Sequence, residues 1–134
     1  MRFVEHNGVT DVVDGGRSET PILTMSNIVN KNVIKITVSF TAKTGPNTSN
    51  GFSYSVKPSK ASSATALSSQ DSTMQGNAGW QTTTKTVLFL ATIAGDTATE
   101  EIDFEVNFNS GGLDGKGQFS DFLMTGEVVP LDEA

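Results

Sequence analysis

A hydrolytic triad drawn from the many Ser, Thr and Asp residues of this chain would have to recruit His6, the sole histidine. Only an imidazole has the near-neutral basicity to take a serine proton and return it. His6 ends the run Arg2-Phe3-Val4-Glu5, a candidate terminal strand, and no Gly-x-Ser-x-Gly elbow is present to raise a serine above a sheet. A solvated histidine is the simpler reading. Gly112-Leu113-Asp114-Gly115-Lys116-Gly117 combines glycine and lysine as phosphate loops do. Its spacing matches neither the Walker pattern nor a dinucleotide fingerprint, so a hairpin loop fits it better. The chain has no cysteine. Thiol catalysis, disulfides, iron–sulfur clusters and Cys-type zinc sites are thereby excluded.

Carboxylates come next. Glu101, Asp103 and Glu105 share one face of an alternating run. Neighbours on that face lie about 6.8 Å apart, and glycoside hydrolysis needs two carboxyls converging on one cleft. A solvent-facing acidic row, open to a partner, is the expectation. Oxygen donors for calcium exist in Asp96, Asp103, Asn107, Asn109 and Asp114. They lack the order of ligands of the twelve-residue EF-hand loop, and Asx residues in turns usually cap their own backbone. Trp80 and Tyr54 are the only aromatics with a polar handle. An exposed ring at Gly79-Trp80-Gln81 could stack on a sugar or anchor in a partner, or it could plug the end of the core. Leu67 and Met74 are the only large apolar residues between Ser59 and Asn77 and complete the candidate contact set. No catalytic, cofactor or metal site is expected, and the chain does not read as an enzyme.

The elements that must position these residues are strands. Glu101 to Asn109 alternates polar and apolar without a break, and Val33 to Thr41 repeats the pattern with Ile34, Ile36, Val38 and Phe40 inward. Phe52, Tyr54 and Val56 form a shorter copy. Thr86 to Ile93 is apolar at nearly every position, as in a central strand covered on both faces. Weaker strands are expected over Arg2–His6, Thr20–Met25 and Phe119–Val129, the last interrupted by Gly126. Turn residues at Asp14-Gly15-Gly16, Asn30-Lys31-Asn32, Gly45-Pro46-Asn47, Gly95-Asp96 and Ser110-Gly111-Gly112 separate the runs. Gly95-Asp96 predicts a hairpin. The segment 59–77 reads as a long serine-rich loop or a short helix over Ala61–Ser68. The sum is one all-β domain spanning 1–134, an antiparallel sandwich or small barrel of about seven or eight strands.

Composition agrees. With 134 residues the chain can bury a core without a metal or disulfide. Its longest apolar run, Val87 to Ala91, is far short of the roughly 20 residues of a membrane helix. The N-terminus lacks a signal-peptide core, so the chain is expected to stay inside the cell or to have been trimmed. Charge is unevenly spread: residues 1–94 carry eight basic and five acidic side chains, whereas 95–134 carry one basic and ten acidic. The net charge of −6 and scattered basic residues argue against nucleic acid and anionic membranes as partners. The asymmetry is balanced either within one subunit, with the acidic strand beside Lys35 or Lys85, or between copies meeting head to tail.

In whole-chain texture, a cysteine-free Ser/Thr/Asn-rich β domain with the strand-loop-strand block from Val33 to Gly126, the sequence resembles the small structural proteins of tailed-bacteriophage virions, such as capsid decoration and tail-tube subunits. That resemblance implies a sandwich or barrel located in the virion that forms homo-oligomers and touches other virion proteins through loops and chain ends, here 59–77, 1–16 and 128–134. The alternative reading is a carbohydrate-binding or adhesive module using Trp80 and Tyr54, cytoplasmic or at the cell surface as part of a processed protein. A small enzyme or lipocalin-like carrier ranks behind both.

Overall fold

A computed structural model of the chain describes residues 2–6, 8–11, 22–43, 52–74, 79–95, 98–109 and 118–130. Ten strand segments run β1 (Arg2–His6), β2 (Thr10–Asp11), β3 (Leu23–Ile28), β4 (Val33–Lys43), β5 (Phe52–Pro58), β6 (Ala64–Ala66), β7 (Asp71–Met74), β8 (Gln81–Ala91), β9 (Glu100–Asn109) and β10 (Gln118–Val128). One sheet has the order β1-β10-β4-β8-β6, with β2 also pairing β10; the other has the order β3-β9-β5-β7. Because β1 and β2 both lie along β10, they share one edge position. All pairings are antiparallel. The result is two sheets of five and four positions facing each other, with no barrel closure.

From β2 onward, each strand lies in the opposite sheet from the strand before it. Four strand positions of the first sheet (β1/β2, β10, β4, β8) thus face β3, β9, β5 and β7 in the interlocked order of a jelly roll, with β6 added at the rim. Consequently the Gly95 turn is not a hairpin. It carries the chain from β8 across to β9, and Gly95 supplies the left-handed backbone (φ 94) that this corner uses. The β3-to-β4 corner is built as its Asx content predicts. The backbone N–H of Val29 donates to Asn32 Oδ1 (2.9 Å) and that of Ile93 to Asn30 Oδ1 (3.0 Å).

Alternation decides what is buried. Along β4 the pattern is strict: Ile34, Ile36, Val38, Phe40 and Ala42 are buried and the residues between them are half-exposed. Phe40 lies at the centre of an aromatic cluster, edge-on to Tyr54 (5.0 Å between centroids) and Phe108 (5.5 Å) and near Phe119 and Phe122. Such pairs add about 0.5–1.5 kcal/mol each beyond area burial. β8 departs from expectation in one respect. Its inner residues Val87, Phe89 and Ala91 are buried, but Leu88 and Leu90 on the outward face are only half-buried, so one face of this strand stays partly wet.

Two strands hide their alternation behind bulges. In β10 the register against β4 shifts between Ser120 and Leu123, and Asp121 takes a left-handed conformation (φ 54). The extra residue flips parity, so Phe119 and then Phe122 and Met124 all face the core. β3 repeats the device at Asn27 (φ 59), which brings both Met25 and Ile28 inward. Asp and Asn tolerate this region better than other non-glycine residues.

The segment 59–77 corrects the expectation of a long loop or helix. It holds a 3₁₀ turn (Ala61–Ser63), β6 and β7, with residues 75–77 outside the described set. Both strands are short and sit at sheet rims, and β6 turns only the small Ala64 and Ala66 toward the core. Hydroxyls complete the bonding: Ser63 Oγ donates to Lys60 O (2.7 Å), and Ser68 Oγ accepts from Leu88 N (3.0 Å). These two extra segments and the short β2 raise the count above seven or eight. The turns at 14–16, 45–47 and 110–112, and the glycine-rich stretch 112–117, lie outside the described residues.

Candidate functional site

Among the described residues, no group of three His, Cys, Asp or Glu side chains gathers as metal ligands would. The acidic row is split. Glu101 and Asp103 are exposed on β9, and Asp103 accepts a hydrogen bond from the Thr24 hydroxyl (2.7 Å). Glu105, expected to face solvent, is instead buried at 3% exposure, with Lys57 of β5 opposite it in the ladder. The charge balance therefore differs from expectation. β9 lies beside β3 and β5 rather than beside the strands of Lys35 and Lys85, and Lys35 pairs with Glu127 of β10 (2.9 Å). The Lys35 ammonium, by hydrogen bond and then by charge, holds the Glu127 carboxyl below its ordinary pKa.

Tyr54 is removed from the contact set. It is 1% exposed, packed edge-on against Phe40, and its hydroxyl is 3.0 Å from the Thr83 hydroxyl of the facing sheet. Its position between Ser53 and Ser55 already put it on the inward parity; the phenol oxygen finds its partner across the core instead of in solvent. Trp80 and Leu67 are exposed, at 44% and 53%. Trp80 does not plug the core, and the ammonium of Lys43 stands 4.8 Å from its ring centroid. Met74 ends β7 with its backbone opposite Phe52; its side chain lies outside the described set, as do the side chain of Asn109 and residues Asp96 and Asp114.

What the sequence did not flag is the edge between Trp80 and Leu67. β8 is eleven residues long and pairs with β4 over Gln81–Leu90. On its other side, β6 covers only Phe89, Leu90 and Ala91. Leu88 both accepts from Leu67 N (2.7 Å) and donates to Ser68 Oγ on that side. By strand alternation the backbone groups of Thr86, Thr84 and Thr82 point the same way. No described residue pairs with them. The outward face beside this edge is a hydroxyl ladder: Thr37 with Thr86 (3.2 Å), Ser39 with Thr84 (3.4 Å) and Thr41 with Thr82 (3.3 Å). Only the run Gln81-Thr82-Thr83-Thr84-Lys85-Thr86, rich in β-formers, could have hinted at this in the sequence.

The outward face of the other sheet carries an open depression lined by Ser53, Tyr54, Ser55, Asp71, Asn107 and Phe108. Asn107 Oδ1 is buried there without a hydrogen-bond partner. Trp80 and this depression belong to opposite faces of the sandwich, so the exposed ring and the polar hollow do not form one site. The chain matches no known family model and no curated protein.

Proposed function

We propose that this protein is a non-enzymatic assembly subunit acting through protein–protein contacts, of the kind that decorates a phage capsid or builds a tail tube in the virion. The observation that carries the reading is the hydroxyl-flanked edge of β8 over Thr82–Thr86, which no described residue pairs, bounded at its two ends by the exposed Trp80 and Leu67. A regular strand edge with unpaired amides and carbonyls is a template for pairing, and folds that stay monomeric usually blunt such edges. Jelly rolls also recur in viral capsid domains, a fold-level analogy that raises the prior without assigning the function. Native mass in solution, from size exclusion with light scattering across micromolar concentrations, tests the proposal. A discrete oligomer supports it; a monomer at every concentration refutes it.

The exposed Trp80 ring also keeps a second reading, a carbohydrate-binding or adhesive module, in play, since lectins share the architecture. A glycan-dependent change in tryptophan fluorescence on a monomeric protein, abolished by Trp80→Ala, would favour it.

A further inference from the structure

We infer that the occupant of the β8 edge is β8 of a second copy of this chain, paired antiparallel about a twofold axis through Thr84; the inference rests on the assembly reading above. Self-complementarity is what an isologous contact requires, and this edge has it over Thr82–Thr86, the stretch that no described residue pairs. With the axis at Thr84, Thr84 faces the partner's Thr84, Thr82 faces the partner's Thr86, and Thr86 faces the partner's Thr82. These are the residues whose N–H and C=O groups point outward, so each facing pair exchanges both backbone bonds.

Side chains follow the same symmetry. On the outward face, threonine meets threonine, extending the hydroxyl ladder that β8 already makes with β4. On the inward face Lys85 meets the partner's Thr83, so no like charges stand directly opposite. Past the ladder, Trp80 comes to the level of the partner's Leu88, the residue on which the partner's Leu67 is hydrogen-bonded. The two exposed apolar side chains that flank the edge thus cover each other, once at each end. A protein with net charge −6 resists self-association over most of its surface, but this strand carries no acidic residue.

The other edges lack these properties. β3 is bulged at Asn27, β7 is four residues long, and the β1/β2 edge is interrupted between His6 and Thr10. Irregular and short edges resist pairing.

The chain's lack of cysteine makes the test direct. In Thr84→Cys the sole thiols sit on the axis, with Cα atoms about 5.5 Å apart in a hydrogen-bonded pair, a separation a disulfide spans. Mild oxidation of the full-length variant at micromolar concentration is expected to give covalent dimer, while Thr73→Cys, exposed on β7, stays monomeric on a denaturing gel. Thr84→Pro removes a donor that faces the open side, leaving the β4 ladder intact. It is expected to raise the dimer dissociation constant about tenfold or more, measured by sedimentation equilibrium. An oligomer that neither cross-links through residue 84 nor responds to Thr84→Pro overturns this interface while leaving the assembly reading standing. A wild-type chain that remains monomeric overturns both. Binding of an extended peptide in place of a second copy, with no covalent dimer at residue 84, overturns the choice of occupant.

Discussion

Gly126 of β10 lies close beneath side chains of β3 in the facing sheet and of its neighbour β4, and adding one methyl group there should be costly. The residue is buried on the inward face of β10, and a Cβ at this position would lie 2.7 Å from Met25 Sδ, 2.8 Å from Leu23 Cδ2 and 3.0 Å from Ile36 Cδ1. All three neighbours are side-chain ends, which would yield on a surface, but here they are fully enclosed in the core. Overpacking of this kind costs about 1–3 kcal/mol. Replacing glycine by alanine at a site with an ordinary strand φ returns about 0.4–1 kcal/mol through the unfolded chain. The expected net loss for Gly126→Ala is about 1–2 kcal/mol, or roughly 3–8 °C in a domain of this size. Urea denaturation of both proteins, with equal slopes, reads it. Combining Gly126→Ala with Met25→Ala should recover at least about 0.5 kcal/mol relative to additivity, because the truncated side chain no longer occupies the space. A Gly126→Ala protein as stable as the parent, or more so, would refute the close approach of β10 to β3.

Further outcomes follow from the same packing. Tyr54→Phe should cost about 1 kcal/mol and Thr83→Val a similar amount, with the double variant less than additive, since both break the same Tyr54–Thr83 bond across the core. Asp121→Val should destabilise by about 1–2 kcal/mol, because a β-branched residue resists the left-handed bulge conformation, whereas Asp121→Gly should be near neutral. Glu127 has its carboxyl pKa lowered in the fold by Lys35, so its ion pair stabilises above the ordinary carboxylate range and is lost as pH falls through the lowered value. A carbon-detected NMR titration should show that midpoint below an ordinary glutamate, and Lys35→Met should return it to normal.

The strands that were legible in the sequence are those whose alternation is uninterrupted. β4 and β9 announce themselves because every second residue is apolar, and their burial follows residue for residue, apart from Glu105. β10 was blurred because Asp121 inserts one residue and moves the apolar set from odd to even positions, and Gly126 then looked like a break when it is a point of contact. β6 and β7 were invisible because rim strands of three and four residues, with only the small Ala64 and Ala66 turned to the core in β6, leave almost no apolar period. The Gly95 turn signalled a change of direction correctly, but turn chemistry carries no information about whether the next strand returns beside the first or crosses to the facing layer. The open edge of β8 was illegible for the same reason: which side of a strand lacks a neighbour is a property of topology. Trp80 and Leu67 were picked out for their apolar character in polar surroundings, and both lie at the ends of that edge; Tyr54 had the same polar handle but was already committed to the core by its parity.

Amide hydrogen exchange along β8, followed as a function of protein concentration, tests the central claim most directly. The N–H groups of Thr83 and Lys85 point to β4 and serve as an internal reference, while those of Thr82, Thr84 and Thr86 point to the open side. The expected result is slow exchange at all five positions in concentrated protein and selective loss of protection at Thr82, Thr84 and Thr86 on dilution. Rapid exchange at those three threonines at every concentration, with Thr83 and Lys85 still protected, would contradict it.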